Sequence, residues 1–334
     1  MIYSEVIIVG GGPAGSTCAW KLKQNGIECL ILDKQEFPRT KLCAGWITPN
    51  VVKNLKIDIK KYPHSFITFD NFHLNIFGRN LRLKTLQYSI RRYEFDGWLL
   101  KRSAAPVYTH NVNNIKKEND CYIIDDKYCC KYLIGAGGTF CPVYKTYFKK
   151  ANPRPKESLI VTLEEEFAYD YHDKNCRLWF FDKGLPGYSW YVPKGNKYLN
   201  IGIGGLSEML KRNKTTIRAH WNYFIQKLEA LSLIKNYRPN PKGLVYYQRD
   251  KTKVGQIENA FIIGDAKGLA TRDWGEGIGP AVESGILVAK AIINGSKYSP
   301  KPIKIYSSGL ILKKHFNLCL SKIAADFYTR LKFK

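Results

Sequence analysis

The sequence predicts an α/β fold (α+β overall), in which a parallel β-α-β core carries an inserted antiparallel sheet and a C-terminal helical tail. Residues 4–9 (SEVIIV) have the pattern of a buried strand, since four of the six are Val or Ile, residues 13–25 have a helical pattern, and residues 28–33 resemble a second buried strand. From residue 158 to 204 the pattern is mainly that of strands. Residues 309–334 place apolar side chains at steps of three or four, which indicates an amphipathic helix.

These elements divide the chain into two domains and a tail. A length of 334 residues is sufficient for two domains. Because the antiparallel strands interrupt the first unit, we expect both domains to be discontinuous. The predicted boundaries are 1–60 plus 86–150 plus 246–295 for the first domain, 61–85 plus 151–245 for a second, substrate-binding domain, and 296–334 for the basic tail.

The chain carries a large excess of positive charge. It contains 53 Lys and Arg residues against 28 Asp and Glu, a formal net charge of +25, and 45% of its residues are hydrophobic. This composition is typical of a folded protein and excludes an acidic disordered one. The charge favours an anionic partner, such as a membrane surface, a phosphorylated substrate or nucleic acid. A lysine-rich background composition is an equally good explanation at this point.

The cysteines and the hydropathy pattern bear on the cellular location. Nine cysteines are scattered without metal-ligand spacing, so we expect free thiols in a reducing compartment and no metal site. No uncharged apolar run reaches the ~18 residues that a membrane span needs. A strand pattern begins within the first few residues, from which we expect no signal peptide. The expected location is the cytoplasm, with peripheral contact to the inner face of the membrane.

The turn after the first strand has the spacing of a dinucleotide-binding motif. The letters GGGPAG, which start at Gly10, follow a strand and open a helix. Gly10 permits the tight turn, Gly12 lets a pyrophosphate approach the backbone, and Gly15 lets helix and strand pack closely. Asp33, at the end of the next strand, can accept hydrogen bonds from ribose hydroxyls. A Rossmann-type nucleotide-binding domain is therefore predicted.

A second glycine-rich loop follows a later strand. Gly264 and Asp265 end the strand, and Gly275 and Gly277 precede a helix that begins near Ile278. Asp265 can bind a ribityl or ribose hydroxyl, and the helix N-terminus presents its positive dipole end to an anionic ring edge. A reduced flavin carries negative charge at such an edge. Together with a single GxGxxG turn, this loop favours FAD as the cofactor.

With these motifs, the chain resembles the FAD-dependent oxidoreductases of the aromatic-hydroxylase fold, and within them the geranylgeranyl reductase family. The stretch 92–96 (RYEFD) is similar to the family pattern RxxFD, and residues 41–45 (KLCAG) are similar to its CxG element beside the flavin. Residues 188–193 (YSWYVP), followed by Gly202 and Gly204, resemble the signature that lines its prenyl-chain pocket. Two departures affect the flavin environment: Gly137 stands where the family has an acid, and Arg272 replaces a loop proline.

The resemblance implies an FAD-dependent reductase that saturates C=C bonds of a prenyl (geranylgeranyl-type) lipid or quinone precursor by hydride transfer from reduced flavin. The implied catalytic residues are Cys43, Tyr188 and Trp190. The implied cofactor-binding residues are Gly10, Gly12, Pro13, Ala14, Gly15, Asp33, Lys34, Lys41, Cys43, Ala44, Gly45, Arg92, Gly264, Asp265, Gly275, Gly277 and Ile278. The implied substrate-binding residues are Tyr188, Trp190, Pro193, Gly202 and Gly204.

The residues themselves support these roles to different degrees. Tyr188 and Trp190 alternate on a strand and so share one face, which suits an apolar chain, although ordinary core packing explains them equally well. Cys43 has Lys41 nearby, which can lower the pKa of its thiol, and its expected roles are substrate positioning, proton donation or flavin contact. Arg92 is expected to reach the FAD phosphates or the flavin edge, or else to be a surface cation.

Several alternatives remain at this point. The YxWxxP segment also resembles the WxWxIP motif of flavin-dependent halogenases, so a monooxygenase or halogenase acting on an aromatic substrate is the second candidate. A non-catalytic FAD-carrying interaction protein is the third. The electron donor is undetermined, with NADPH and a reduced ferredoxin both compatible. The expected partners are a hydrophobic prenyl substrate and an anionic membrane surface bound by the basic tail. Nucleic acid is not expected, because no recognition motif accompanies the charge.

Overall fold

The computed structural model describes residues 1–249 and 254–307, which contain sixteen strands and six α-helices. The strands are β1 (Ile2–Val9), β2 (Cys29–Asp33), β3 (Trp46–Ile47), β4 (Ile67–Ile76), β5 (Arg79–Ser89), β6 (Val107–Thr109), β7 (Ile115–Glu118), β8 (Cys121–Ile124), β9 (Tyr128–Gly135), β10 (Leu159–Ala168), β11 (Cys176–Phe180), β12 (Gly187–Lys194), β13 (Tyr198–Leu206), β14 (Lys242–Tyr247), β15 (Gln256–Ile257) and β16 (Ala260–Ile262). The helices are α1 (Pro13–Lys23), α2 (Pro49–Asn54), α3 (Arg92–Arg102), α4 (Ser207–Arg212), α5 (Ile217–Ala230) and α6 (Ile278–Ile293).

The first sheet has the strand order β15-β16-β9-β1-β2-β6, with the β7–β8 hairpin attached to β9. The run from β16 to β6 is parallel throughout, which confirms the predicted β-α-β start of the chain. Residues 6–9 of β1 are all buried, because helices α1 and α6 cover one face, and the β7–β8 hairpin and the segment 141–148 cover the other. On the face covered by helices, α1 and α6 approach each other closely. A Cβ on Gly285 of α6 would lie 2.5 Å from the carbonyl oxygen of Ala14 in α1.

The second sheet has the order β14-β10-β13-β12-β11-β4-β5-β3. Its neighbours pair antiparallel except for β4 and β11, which run parallel. This parallel pair joins residues about a hundred positions apart, so no local hairpin signal could predict it. The inserted sheet is therefore mixed rather than purely antiparallel.

The two faces of the second sheet have different neighbours. On one face Tyr191 and Ile201 pack with Trp221 and Phe224 of α5. Helix α5 begins after Thr216, whose hydroxyl oxygen accepts a hydrogen bond from the backbone N–H of Ala219 at 3.1 Å. The opposite surface of the sheet is turned towards the first sheet and carries a second apolar cluster, which includes Trp190 and Val192. The functional residues lie between the two sheets.

Two predictions concern the ends of the domains. The boundaries between the two domains stay a prediction, although strands from 67–89 and 159–247 form most of the second sheet. The predicted amphipathic helix at 309–334 lies outside the described residues. Within 1–249 and 254–307, no helix has both the length and the apolar character needed to cross a membrane.

Candidate active site

The turn between β1 and α1 lies where the parallel strands end. Gly10 has a φ of +115°, and a Cβ there would lie 2.5 Å from the backbone of Ala136. A Cβ on Gly15 would lie 1.9 Å from the carbonyl oxygen of Gly10. At Gly12, by contrast, the nearest described atom to such a Cβ is Nη2 of Arg39, at 3.7 Å. Packing therefore requires the first and third glycines, whereas the second leaves open space for the approach of a ligand.

Asp33 ends β2 beside this turn and is buried. One carboxylate oxygen accepts a hydrogen bond from the N–H of Gly11 at 2.7 Å, and the other accepts from the N–H of Gln35 at 3.0 Å. Each oxygen has two lone pairs, so both can accept a second bond. Asp33 thus holds the turn in shape and keeps acceptor capacity for a hydroxyl.

A cavity of about 690 Å³ extends between the two sheets, within the usual size of a cofactor or small-molecule site. It brings together most of the residues predicted from the sequence. Those that line it are Gly10, Gly12, Pro13, Ala14, Asp33, Lys34, Lys41, Cys43, Ala44, Gly45, Arg92, Tyr188, Trp190, Gly204, Asp265, Gly275, Gly277 and Ile278.

Four predicted site residues lie outside the wall of this cavity. Gly15 packs under the turn, as described. Gly264 faces the side chains of helices α1 and α6, and its N–H donates to the hydroxyl of Ser284 at 3.0 Å. The ring of Trp190 covers Gly202. Pro193 is held by its carbonyl oxygen, which accepts a hydrogen bond from the Ser89 hydroxyl at 2.8 Å. These four residues support the walls from behind.

The loop that carries Cys43 is held by polar side chains of the second sheet. Asn200 Nδ2 donates to the carbonyl oxygen of Cys43 at 3.3 Å. Lys194 Nζ donates to the carbonyl oxygens of Ala44, of Gly45 at 2.8 Å and of Ile90 at 2.9 Å. The loop therefore has a fixed position against the sheet.

Lys194 is fully buried, and burial lowers the pKa of its ammonium group to about 8. Neither Lys194, Asn200 nor Glu164, a buried carboxyl described below, was predicted from the sequence. The available signal was weak: Lys194 follows Trp190 and Val192 at two-residue steps and so shares their face of β12. A lysine at the end of a strand is normally exposed to solvent. Lys194 is buried instead because the Cys43 loop packs over it.

Arg92 opens α3 and points into the buried interior. Its Nε and Nη2 donate to the two carboxylate oxygens of Asp96, each at 2.7 Å, and Cys43 lines the cavity beside it. Burial alone would lower the pKa of Arg92, but the Asp96 carboxylate outweighs it and holds this pKa above its usual value. Arg92 is thus a buried cation that lines the cavity beside Cys43, not a surface residue.

Tyr188 and Trp190 lie side by side on β12, with ring centroids 5.7 Å apart. The Trp190 Nε1–H donates to Asn200 Oδ1 at 2.7 Å, and the Tyr188 hydroxyl donates to the carbonyl oxygen of Trp274. Their polar atoms are therefore satisfied within the protein, and the rings give this end of the cavity an apolar aromatic wall. Trp46, which also lines the cavity, belongs to the same cluster.

The late glycine loop closes the cavity from the other side. Gly275 has a φ of +64°, and a Cβ there would lie 2.2 Å from the hydroxyl oxygen of Tyr246. Helix α6 then begins at Ile278, with Gly277 as its N-cap residue. Both Gly277 and Ile278 line the cavity, so the N-terminal end of a sixteen-residue helix faces it.

The residues present fit FAD. The open space at Gly12 and the start of α1 suit a pyrophosphate, and Asp33 suits a ribose. The α6 N-terminus and the Cys43 loop flank the part of the cavity that ends at Tyr188 and Trp190, which suits the ring end of a flavin.

The sequence comparisons agree with this site. A family model for NAD(P)-binding Rossmann-like domains matches residues 8–77. Digeranylgeranylglycerophospholipid reductase 2 of Methanosphaera stadtmanae is 25% identical over 92% of this chain and 83% of its own length. Menaquinone reductase of Mycolicibacterium smegmatis is 24% identical over 94% of this chain and 81% of its own length.

The chain is similar over most of its length to proteins named as reductases of digeranylgeranylglycerophospholipids. The predicted resemblance is confirmed, and with it the prediction of an FAD-dependent oxidoreductase with FAD as its cofactor. This outcome sets aside the third alternative, a non-catalytic FAD carrier. Other relatives at similar identity are named menaquinone reductase.

Comparisons with solved structures confirm the fold. A geranylgeranyl bacteriochlorophyll reductase-like protein from Thermoplasma acidophilum superposes with a TM-score of 0.75 at 19% identity, over 99% of this chain and 84% of its own. The flavin-dependent brominase Bmp2 superposes with a TM-score of 0.71 at 16% identity, over 88% of this chain and 79% of its own. At such identities the structures establish a shared fold and not a shared reaction.

Proposed function

We propose that this FAD-dependent oxidoreductase saturates C=C bonds of a prenyl chain, of the geranylgeranyl type, in a lipid or quinone precursor. One observation carries the proposal: the aromatic wall of Tyr188 and Trp190 lies in the same cavity as the dinucleotide turn at Gly12. An apolar chain laid on these rings would be next to a cofactor held by that turn. The names of the relatives, which include reductases of prenylated glycerolipids and of menaquinone, support the same substrate class.

The residues of this chain have separable tasks in such a reaction. FAD, when bound in its reduced form, supplies the hydride. Gly12 and the N-terminal amides of α1 would hold its pyrophosphate, and Asp33 would accept a hydrogen bond from its ribose. Tyr188 and Trp190 position the apolar chain and exclude water, since their own polar atoms are bonded to Trp274 and Asn200.

The Cys43 loop and Arg92 complete the wall beside these rings. The loop is fixed by Lys194 and Asn200, so its backbone offers a rigid surface to cofactor and substrate. Arg92 provides a permanent positive charge there, because its pairing with Asp96 keeps it protonated. We assign Cys43 a role in positioning, since its sulfur accepts a hydrogen bond from the Gly45 N–H at 3.4 Å and lies in the wall of the cavity.

The proposal is tested by anaerobic reduction of a geranylgeranyl lipid. The enzyme is reduced with dithionite, mixed with the lipid without oxygen, and the product is analysed by mass spectrometry. We expect reoxidation of the flavin and a gain of two hydrogens per bond reduced. The alternative chemistry, a monooxygenase or halogenase on an aromatic substrate, would require oxygen and would leave the lipid unchanged.

The place of action follows from the substrate. A prenyl lipid resides in a membrane, and a net charge of +25 favours contact with an anionic surface. We propose a cytoplasmic enzyme that meets its substrate at the inner membrane face, with the basic segment 296–334 contributing to the contact. Sedimentation with vesicles of anionic and of neutral lipid tests this: binding independent of lipid charge would contradict it. NADPH and reduced ferredoxin stay the two candidate electron donors.

A further inference from the structure

Glu164 is a buried carboxyl in the wall of the cavity that the reaction above does not yet use. It lies on β10, its side chain lines the cavity, and only 3% of the residue is exposed. Carboxylates are almost never buried to this extent without a charged partner. Among the described residues, however, no Lys or Arg nitrogen lies within 4 Å of its oxygens. Its burial therefore calls for an explanation.

The sheet places Glu164 beside the aromatic wall. Glu164 pairs with Gly202 on β13, and Gly202 pairs with Trp190 on β12, so the three positions form one row across the sheet. A Cβ on Gly202 would lie 2.8 Å from the Cβ of Glu164 and 2.1 Å from Cζ2 of Trp190. Because the middle residue has no side chain, the carboxyl and the indole face each other across it. An apolar chain resting on Trp190 would pass next to Glu164.

Most of the positively charged side chains that face Glu164 form their hydrogen bonds with other residues. Lys194 donates to three backbone carbonyls and Arg92 is paired with Asp96. Lys41 and the backbone of Cys43 also face Glu164 from the loop, and both act to lower the pKa of its carboxyl.

Burial outweighs these favourable charges. It raises the pKa of Glu164 to about 7, although Lys41, Lys194 and Arg92 each act to lower it. The hydroxyl of Tyr246 faces the same carboxyl, and burial raises its pKa as well. At neutral pH the carboxyl therefore carries a proton for a large part of the time.

We propose that Glu164 is the proton donor of the reduction, delivering its carboxyl proton to one carbon of the prenyl double bond. The inference rests on the proposed function. The π bond breaks, one carbon receives the hydride with its electron pair from reduced flavin, and the other receives the proton from a Glu164 carboxyl oxygen. The carboxylate that remains regains a proton from water. Dithionite, in the experiment below, supplies the electrons that reduce the flavin.

Other acidic groups in this wall are less suitable. The Tyr188 hydroxyl already donates to the carbonyl oxygen of Trp274. The sulfur of Cys43 accepts a hydrogen bond from the Gly45 N–H at 3.4 Å, which ties it to the backbone of its own loop. Tyr246 holds its proton too tightly at neutral pH. Glu164 alone among these combines a transferable proton with a place beside the aromatic wall.

The test compares Glu164→Gln with Glu164→Asp, using Glu165→Gln as the matched control. Glu165 is the next residue of β10 and points to the opposite face, where its carboxylate accepts from Tyr237 and Asn240. Each variant is reduced anaerobically with dithionite and mixed with a geranylgeranyl lipid, and flavin reoxidation is followed from about pH 5.5 to about pH 8.5.

In the wild type we expect the reoxidation rate to fall as pH rises through about 7. Glu164→Gln should be slower by about 100-fold or more below this pH, with a flat pH profile and unchanged FAD content. Glu164→Asp should recover part of the rate and regain a pH-dependent profile, and Glu165→Gln should resemble the wild type. The infrared difference spectrum of the wild-type protein between low and high pH, recorded without substrate, should contain a carboxylic acid band. The spectrum of Glu164→Gln should lack this band.

The outcomes separate the two proposals. If the wild type is not reoxidised by the prenyl lipid, the proposed function is wrong and the role of Glu164 falls with it. If the wild type reacts and Glu164→Gln reacts equally fast with the same pH profile, only the role of Glu164 is overturned. If Glu164→Gln loses FAD or fails to fold, Glu164→Asp decides: a rate that no longer falls at high pH, or an absent infrared band, would overturn the proposal.

Discussion

The ammonium nitrogen of Lys194 lies 2.8 Å from the carbonyl oxygen of Gly45, a residue 149 positions earlier in the chain. The contact fastens the Cys43 loop to the second sheet. The same nitrogen donates to the carbonyl oxygen of Ile90, just before α3, so one side chain fixes two segments of the cavity wall. A buried lysine thereby determines the shape of the site, and within residues 1–249 and 254–307 no carboxylate lies within ion-pair distance of it.

Replacing this lysine should loosen the wall. Lys194→Met keeps the apolar stem but leaves buried carbonyl oxygens without a donor, so we expect a loss of unfolding free energy on the order of 3 kcal/mol. Urea unfolding of the FAD-loaded protein measures it. Lys197→Met, at an exposed position in the following turn, is the control and should change the stability by less than about 0.5 kcal/mol. Equal losses in the two variants would contradict the role of Lys194.

The packing role of Gly10 and the ligand-binding role of Gly12 can be separated by substitution. Gly10→Ala should lose both stability and FAD, because a Cβ there meets the Ala136 backbone at 2.5 Å and φ is +115°. Gly12→Ala should keep the stability of the FAD-free protein, since the nearest described atom is 3.7 Å away, but weaken FAD binding at least tenfold. Thermal unfolding without FAD and titration with FAD measure the two effects. FAD affinity unchanged in Gly12→Ala would contradict the placement of the pyrophosphate.

Gly202 is the position on which the aromatic wall depends. Gly202→Ala places a methyl group 2.1 Å from Cζ2 of Trp190, so the indole must move and its bond to Asn200 must break. We expect a destabilisation of about 1–3 kcal/mol, with FAD retained and lipid reduction slowed. Gly204→Ala, where the nearest atom is 3.3 Å away, should destabilise less. Unchanged near-ultraviolet circular dichroism in Gly202→Ala would show that the indole had not moved.

The carboxyl of Glu164 should also make the folding stability depend on pH. Burial raises its pKa to about 7 in the folded state, whereas the unfolded value is about 4.5. Between these values the folded state binds more protons than the unfolded state, so the stability falls as pH rises. Relative to wild type, Glu164→Gln should gain up to about 3 kcal/mol between pH 4.5 and pH 7. A difference between the two proteins that is independent of pH would contradict the raised pKa.

The nucleotide-binding half of the site could be predicted because its signals are local. Gly10, Gly12 and Gly15 lie within one turn, and Asp33 follows one strand later, so their spacing alone determines their geometry. The faces of Tyr188 and Trp190 also followed from two-residue alternation on one strand.

The polar supports of the site could not be predicted in this way. Lys194, Asn200 and Glu164 act on the Cys43 loop, more than a hundred residues away in sequence, and only the packing of the two sheets brings them there. For Pro193 and Gly202 the opposite holds. The family signature predicted them as substrate contacts, but neither residue lines the cavity. Motif spacing locates the backbone of a site more reliably than the side chains that reach it.

The central claim is that this flavoenzyme reduces prenyl double bonds, and one measurement tests it most directly. Dithionite-reduced protein is mixed anaerobically with a geranylgeranyl lipid, and flavin absorbance and product mass are followed together. We predict that the flavin is reoxidised without oxygen and that the lipid mass rises in steps of two hydrogens. A flavin that stays reduced until oxygen is admitted, with the lipid mass unchanged, would contradict the account.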